Sequence, residues 1–189
     1  LTRNAEQLAA AAATPVIVGG LSGIFLLAML PFAEWLTGSL SDVTLIEFAS
    51  DHRLLDKLRA DAPGTWNHTI NVADLAESAA RAIGANALFC RTAALFHDIG
   101  KTVDPEIFAE NQREGSPHDK LSPEESARRI IAHVTDGLEM AQKHRLPQPF
   151  RDIIAEHHGT SLVRFFYARA VEKVQDPAER ARLRETFRY

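Results

Sequence analysis

Apolar residues recur at helical spacing along most of this chain, but its N-terminal part is apolar almost without interruption. No charged residue occurs between positions 8 and 33. A stretch of this length can cross the hydrocarbon core of a bilayer, which needs about 20 apolar residues. Its glycines are tolerated between packed membrane helices, and Trp35 stands where an interfacial aromatic residue is expected. The pattern therefore predicts one transmembrane helix, the end of a membrane domain, within residues 1–40.

Two other interpretations compete for this segment, a cleaved signal peptide and a buried helix of a soluble protein. The chain begins with Leu1 rather than methionine, and residues 31–38 contain no small-residue cleavage site, which disfavours a signal peptide. Basic residues follow the span at positions 53, 57 and 59, whereas Arg3 precedes it. The positive-inside rule then favours a cytoplasmic location for the part of the chain that follows.

The rest of the chain is predicted to be a series of amphipathic helices. Residues 41–62 predict a juxtamembrane connector helix, interrupted near Ser50-Asp51, and Ala62-Pro63-Gly64 then opens a second domain over residues 63–189. Strand signals are scarce, so we expect an all-α fold. The predicted elements of the second domain are helices over 65–84, 85–99, 122–146, 150–160 and 165–174, a loop over 101–121, and an exposed tail over 179–188.

Residues that begin and end helices support these boundaries. Thr65 and Ser122 are predicted N-caps, and Gly84 and Gly159 are predicted to end their helices. The buried face of the helix over 65–84 is predicted to contain Val72, Ala73, Ala76, Ala79, Ala80 and Ile83. The buried face of the helix over 122–146 is predicted to contain Ile130, Ile131, Val134 and Leu138.

Composition narrows the possible partners of the chain. Its 189 residues suffice for one domain with a real core beside the apolar segment. The net charge of −4 provides no general basic surface, so we expect no binding to a nucleic acid polymer. Because Cys90 is the only cysteine, an internal disulfide is impossible, and its apolar neighbours indicate a packing role.

The candidate chemistry begins where an apolar run ends in His97-Asp98-Ile99-Gly100-Lys101. Gly100 is predicted to be the left-handed residue that ends the helix, which places His97 and Asp98 in its last turn. An imidazole and a carboxylate are costly to bury unless something compensates them, and a divalent metal compensates both. The pair alone is more typical of a hydrogen-bonded histidine beside a surface aspartate than of a metal site, so the other histidines decide between the two.

Four more histidines are predicted to lie on inward faces, on three further helices: His68, His133, His157 and His158. The remaining three stand in polar surroundings, and we expect them at the surface together with Lys120: His52, His118 and His144. Nitrogen and carboxylate ligands without thiolate favour Zn, Fe, Mn or Co. A single tetrahedral ion with an open position uses fewer ligands than the six candidates. We therefore expect two ions that share Asp98. Such a pair suits in-line attack of a bridging hydroxide on phosphorus, and Lys101 would stabilise phosphate oxygens.

The order His68, His97-Asp98, His133, His157-His158 resembles the HD metal-dependent phosphohydrolase superfamily. More narrowly, the chain resembles the seven-transmembrane HD family of bacterial cyclic di-AMP phosphodiesterases, whose last membrane helix is similar to the upstream apolar segment. The match covers about Ala62 to Tyr189, and four segments carry it: residues 62–65, 97–101, 117–123 and 157–160.

The resemblance implies an HD helical bundle on the cytoplasmic face of the bacterial inner membrane, a binuclear iron or manganese site, and hydrolysis of cyclic di-AMP to linear pApA. By position, one ion would take His68, His97 and Asp98. The second would take Asp98, His133, His157 and His158. We expect Lys101 and Thr160 to contact the substrate, membrane lipid to surround the apolar segment, and a second copy of the chain to be a possible partner.

One departure from the family concerns the first ion. The family completes that site with an aspartate on a later helix, and the chain ends at Tyr189 before that aspartate is reached. Asp176 precedes Pro177 in a predicted exposed turn and is a poor substitute. We therefore expect a C-terminally truncated HD domain in which the first ion binds weakly.

Three alternatives to this function stay open. The first alternative is an HD phosphohydrolase that acts on another nucleotide. Cyclic di-GMP phosphodiesterases of the HD-GYP type are disfavoured within this class, because no Gly-Tyr-Pro follows the HD motif or the histidine pair in this chain. The second alternative is a catalytically silent HD module that passes a signal through the membrane helix. The third alternative is a purely structural helical bundle. It is disfavoured because six buried polar groups rarely satisfy one another without an ion.

Overall fold

The computed structural model describes residues 2–172 and 174–189, and among the side chains those of residue 7 and of residues 10–172 and 174–189. These residues form α-helices joined by loops and 3₁₀ turns and no strand, apart from one antiparallel bridge between Leu162 and Arg188, so the predicted all-α fold is confirmed. The helices are α1 (Thr2–Thr37), α2 (Asp42–Ser50), α3 (Arg53–Asp61), α4 (Pro63–Ala82), α5 (Ala87–Phe96), α6 (Pro123–Lys143), α7 (Gln148–Glu156), α8 (Arg164–Val171) and α9 (Pro177–Thr186).

The chain divides into two compact units, Leu1–Thr44 and Leu45–Tyr189. The first unit consists mainly of α1, whose segment Ala10–Thr37 has a mean hydropathy of 2.2 and is long and apolar enough to cross a membrane. None of the most apolar stretch of this segment is buried within the protein, as expected for a helix that meets lipid rather than a protein core. The side chains of Arg3 and Leu8, which entered the orientation and span predictions, lie outside the described residues.

The second unit is built around leucine and phenylalanine side chains from helices α3, α5 and α7. Leu54 and Leu58 are fully buried beside the rings of Phe96 and Phe150, which stack with their centroids 5.4 Å apart. Each such side chain contributes roughly 1.5–3 kcal/mol when it leaves water. The predicted interruption of the connector is present, since α2 ends at Ser50 and α3 begins at Arg53.

His52 occupies that interruption and is not solvated, contrary to prediction. Its Nδ1 accepts a hydrogen bond from the Leu54 backbone N–H at 3.2 Å, which makes it the N-cap of α3. Its ring meets the Phe96 ring edge to face with centroids 5.2 Å apart. The reason is that a capping residue points back over its own helix, and here the first turn of that helix packs on the aromatic core.

Helix α4 begins at Pro63 rather than after Thr65, and it buries a face of small residues: Thr65, Thr69, Ala73 and Ala80. The prediction that Ala79 and Ile83 are buried is wrong, since Ala79 is exposed and Ile83 is 81% exposed. Ala79 lies beyond the edge of the buried face, and Ile83 follows the last residue of the helix, so neither side chain points into the core. Gly84 ends the helix region with φ +72°, as predicted.

Gly100 is required for a different reason from the one predicted. Helix α5 ends at Phe96, and Gly100 lies in a 3₁₀ turn over Ile99–Thr102 without a positive φ. A Cβ atom at Gly100 would lie 1.9 Å from the His133 carbonyl oxygen and 2.5 Å from the Gly137 backbone nitrogen. The absence of a side chain therefore lets this turn touch the backbone of α6.

This contact also decides which face of α6 is buried. Ser122 caps the helix as predicted, since its Oγ accepts from the Glu125 N–H at 3.1 Å. The fully buried positions are not the predicted aliphatic stripe, whose members are only half-buried. They are smaller or polar residues that the neighbouring turn can approach closely: Ser126, Ala127, His133, Gly137 and Ala141.

The C-terminal helices add a small separate core. Phe166 and Phe187 pack with Ala127, and Phe187 is fully buried although the tail was predicted to be exposed. His118 joins this region rather than the surface, in contrast to the prediction. Its ring lies 4.6 Å from the Phe166 ring, and its Nε2 donates to the Ile107 carbonyl oxygen at 2.8 Å.

Candidate metal centre

Five histidines and one aspartate from four helices meet in the second unit. Helix α4 provides His68 and α6 provides His133. His97 caps the C-terminus of α5, and Asp98 opens the 3₁₀ turn that follows. His157 and His158 follow the last turn of α7, where Gly159, with φ +55°, ends the element as predicted.

One oxygen of Asp98 faces three nitrogen atoms. Its Oδ2 lies 3.1 Å from His97 Nε2, 2.9 Å from Lys101 Nζ and 3.9 Å from His68 Nε2. The Asp98 side chain is only 3% exposed, whereas that of His68 is 49% exposed. His68 thus reaches the cluster from its open side, although the prediction placed it on an inward face.

The other oxygen faces the second group of rings. Asp98 Oδ1 lies 3.4 Å from His133 Nε2 and 3.6 Å from His157 Nε2. His158 Nε2 lies 3.2 Å from His133 Nε2. Asp98 Oδ1 is buried and has no hydrogen-bond partner. A carboxylate oxygen in this state is costly unless a cation satisfies it.

Backbone carbonyl groups fix the orientation of three of these rings. In each, Nδ1 contacts the carbonyl oxygen three residues earlier in the chain. Because a carbonyl oxygen only accepts, Nδ1 donates this hydrogen bond and Nε2 is the ring nitrogen that faces Asp98. The pairs are His97 with Ala94 at 2.6 Å, His133 with Ile130 at 2.6 Å and His157 with Ile154 at 2.9 Å. Metal-binding histidines are typically oriented by such contacts of the second ring nitrogen.

The charges of the cluster suit a cation. Burial opposes ionisation of Asp98, but the close His157 and His97 rings and the Lys101 ammonium hold the pKa of this carboxyl well below its usual range. Burial lowers the pKa of His133 to about 4. Burial and the charges of His157 and His133 lower the pKa of His158 to about 3. At neutral pH the Asp98 carboxylate therefore faces neutral rings of His133 and His158, the protonation state in which these groups can bind a metal ion.

The six predicted residues form two overlapping groups in which the potential ligand atoms lie within 4.8 Å of one another. His68, His97 and Asp98 make the first, and Asp98, His133, His157 and His158 make the second. This donor set, together with the unpartnered Asp98 oxygen, fits divalent metal ions.

A cavity of about 440 Å³ borders both groups. Its polar side consists of Lys101 and most of the cluster, and its other side is apolar, formed by Val72, Ala76, Phe89, Cys90, Ala93 and Ile153. Thr160, the other predicted substrate contact, is exposed and does not line this cavity.

Two residues beside the cluster were not anticipated. Glu110 Oε1 lies 2.9 Å from Lys101 Nζ. The Tyr189 ring stacks on His158 with centroids 3.8 Å apart, and burial followed by the charge of Asp98 raises the pKa of Tyr189 to about 12. Neither residue belongs to a periodic pattern or a motif, so the sequence holds no signal for either contact.

Known proteins match this chain over most of its length. The family model of the HD domain matches residues 65–184. Cyclic-di-AMP phosphodiesterase PgpH of Bacillus subtilis (strain 168) is 43% identical over 176 residues, which are 92% of this chain and 24% of that protein. PgpH of Listeria monocytogenes serotype 1/2a is 43% identical over 165 residues, 86% of this chain and 23% of that protein. The chain thus spans about a quarter of the length of these curated relatives.

A solved structure shares the fold. The HD domain of L. monocytogenes PgpH in complex with cyclic-di-AMP superposes with a TM-score of 0.68 at 44% sequence identity. The superposition covers 74% of this chain and 64% of that chain.

Proposed function

The chain belongs to the HD domain family, and on that premise we propose that it is a metal-dependent phosphodiesterase that hydrolyses cyclic di-AMP to linear pApA. One observation carries the proposal, namely that Asp98 lies between two groups of imidazole nitrogens with one buried oxygen unpartnered. Relatives that are 43% identical are cyclic-di-AMP phosphodiesterases, and the HD domain of one of them has been solved in complex with this nucleotide.

Two divalent ions, iron or manganese, are the proposed cofactors. His68, His97 and Asp98 would hold one, and Asp98, His133, His157 and His158 would hold the other. Imidazole and carboxylate ligands without thiolate suit both metals. When bound, such ions supply Lewis acidity toward phosphoryl oxygens and generate a nucleophile from water.

Lys101 is proposed to bind a phosphate oxygen of the substrate. Its side chain is 13% exposed and lines the cavity next to Asp98. Burial opposes the charge of the ammonium, but the carboxylates of Asp98 and Glu110 outweigh it and raise the pKa of Lys101. Lys101 therefore stays protonated across the physiological range and acts as a fixed positive charge, not as a base.

The apolar side of the cavity is proposed to receive a nucleobase. Phe89, Val72 and Ile153 offer ring and methyl surfaces beside the metal cluster. Binding a flat base against such surfaces excludes water and leaves the phosphodiester toward His97, Asp98 and Lys101.

We also propose that Ala10–Thr37 contacts membrane lipid, which the length and hydropathy of that segment support. The basic residues at positions 53, 57 and 59 support a location of the second unit on the cytoplasmic face of a bacterial cell membrane.

The test combines metal analysis with turnover of the purified membrane protein. Loaded with excess Mn²⁺ or Fe²⁺ under anaerobic conditions, it is expected to bind one ion tightly at His133, His157 and His158 and a second ion more weakly at His68 and His97. It is expected to convert cyclic di-AMP to pApA, and a chelator is expected to stop the reaction. Cyclic di-GMP, assayed in parallel, distinguishes an HD phosphohydrolase of different nucleotide preference. Metal binding without turnover of either nucleotide would contradict the proposal and favour the silent module.

Two variants separate the roles of the residues. His97→Ala is expected to lose metal and activity together, because a ligand is removed. Lys101→Ala is expected to keep its metal and to lower the rate of turnover, because only the contact to phosphate is removed. His144→Ala is the matched control, since His144 is an exposed histidine outside the cluster.

A further inference from the structure

The Lys101 ammonium is held by three groups rather than by the metal cluster alone. It lies 2.9 Å from Asp98 Oδ2, 2.9 Å from Glu110 Oε1 and 4.8 Å from the centre of the Phe108 ring. Glu110 is outside both groups of potential metal ligands. It is therefore a second carboxylate for Lys101 that need not be shared with a cation.

The position of Glu110 is fixed by the start of helix α4. Thr65 Oγ1 donates to Glu110 Oε1 at 3.1 Å. Asn111 Oδ1 accepts from the Thr65 backbone N–H at 3.0 Å, and its Nδ2 donates to Thr65 Oγ1 at 2.8 Å. A Cβ atom at Gly64 would lie only 1.8 Å from the Glu110 carbonyl oxygen, so the two backbones touch. A loop segment is thus locked to a helix 45 residues earlier in the chain.

This arrangement matters once a cation occupies Asp98. A cation beside Asp98 attracts its carboxylate and repels the neighbouring ammonium. Lysine has a flexible four-carbon side chain and loses its position readily when a partner is withdrawn. Glu110 is then the carboxylate that keeps Lys101 beside the cavity, and Thr65 and Asn111 keep Glu110 in place.

We propose that Glu110 is a positioning residue for Lys101, and that the hydrogen bonds of Thr65 and Asn111 to this segment make that position rigid. Glu110 acts through Lys101 and does not itself contact substrate or metal. The kinetic part of the test rests on the proposed function, whereas the spectroscopic part does not.

The kinetic test is a double-mutant cycle with cyclic di-AMP. Glu110→Ala and Glu110→Gln are expected to lower kcat by about tenfold with metal content unchanged, which is less than the roughly 100-fold that a 1 Å misplacement of a catalytic group can cost, because Asp98 still pairs with Lys101. In a Lys101→Ala background the same changes are expected to alter kcat less than about twofold, because the group that Glu110 positions is already absent. Glu106→Ala is the control, since Glu106 is an exposed carboxylate of the same loop. A merely structural role would lower activity in both backgrounds.

The spectroscopic test observes the ammonium directly in protein loaded with diamagnetic Zn²⁺. Proton–nitrogen spectra of lysine ammonium groups are expected to show a Lys101 signal, assigned by its loss in Lys101→Ala and protected from rapid exchange by its partners. Glu110→Ala and Glu110→Gln are expected to lose this signal, and Glu106→Ala to keep it. An unchanged signal in both Glu110 variants, or an unchanged kcat in them, would overturn the inference. If the unmodified protein does not hydrolyse cyclic di-AMP, the proposed function fails and the signal alone decides whether Glu110 holds Lys101.

Discussion

Histidine is used in two opposite ways in two regions of the second unit. Around Asp98, the rings turn their Nε2 atoms toward one carboxylate, with distances from 3.1 to 3.9 Å for His97, His133, His157 and His68. Away from it, His52 caps a helix and packs on Phe96, and His118 donates to a backbone carbonyl and packs on Phe166. In the first region the rings leave an unsatisfied centre. In the second, each ring makes one hydrogen bond to the backbone and packs on a phenylalanine, although His118 Nδ1 is buried without a partner.

The contrast shows that burial alone does not identify a metal-binding histidine. His118 is partly buried, whereas His68 is 49% exposed and still reaches Asp98. Convergence on one carboxylate distinguishes the two regions, because the Nε2 atoms of several rings that face one carboxylate are suited to share a cation with it.

The comparison predicts the largest effect at Asp98, which both ligand groups share. Asp98→Asn is expected to remove metal from both sites and to lower activity by more than the roughly 10- to 100-fold that loss of an outer-shell partner costs. Metal content by elemental analysis and turnover of cyclic di-AMP measure the effect. Asp119→Asn, at an exposed aspartate, is the control. Retention of both ions in Asp98→Asn would show that Asp98 is not required as a ligand of either ion.

The next effect is expected at Gly100, which positions the cluster without belonging to it. Gly100→Ala forces a Cβ against the His133 carbonyl and the Gly137 nitrogen, and a clash with backbone costs at least the upper end of the about 1–3 kcal/mol seen for overpacking. Chemical denaturation measures the loss. The control is Gly84→Asn, because the space around Gly84 is open and asparagine tolerates its positive φ. A fully stable Gly100→Ala protein would show that the turn can move away from α6.

A smaller effect, on stability alone, is expected at His118. His118→Ala removes a hydrogen bond and a ring contact and is expected to cost about 1–3 kcal/mol of unfolding free energy. Metal content and the activity of the folded protein are expected to stay unchanged, as in the His144→Ala control. Loss of metal from His118→Ala would show that a histidine outside the cluster also supports metal binding, which contradicts the distinction between the two regions.

The smallest effect concerns the pH dependence of stability at His52. Burial, followed by the charge of His144, lowers the pKa of His52, although Asp56 acts in the opposite direction. As pH falls below the unfolded value near 6.5, the unfolded chain therefore binds the proton first and the folded state loses stability. His52→Asn keeps an acceptor for the Leu54 N–H and does not titrate, so it is expected to lose less stability than the unmodified protein between pH 7 and pH 5, by under about 1 kcal/mol. Equal losses of stability in both proteins would show that the titration of His52 does not contribute to the pH dependence of stability.

Much of the site was open to prediction because its residues stand at element boundaries. His97-Asp98 follows an apolar run and His157-His158 follows a short amphipathic helix, and the structure brings both pairs together with His68 and His133. Their assignment as ligands stays a prediction until metal is measured. The HD resemblance drawn from these motifs is confirmed, since the family model matches residues 65–184.

Other parts of the site were out of reach of the sequence. Glu110, Thr65 and Asn111 meet through contacts that join positions about 45 residues apart, and no local pattern encodes them. The surface location predicted for His52 and His118 failed because a polar sequence context does not reveal what packs over a residue from elsewhere in the chain.

Local sequence signals suffice to predict the all-α class, the apolar N-terminal helix and helix boundaries such as Ser122, Gly84 and Gly159. Caps, left-handed glycines and helical periodicity act over a few residues, so they can be recognised along the chain. Long-range packing explains why Gly100 must be glycine, which face of α6 is buried and how Lys101 is held. These features depend on backbones and charges that meet across long sequence separations, where packing and desolvation outweigh local preference.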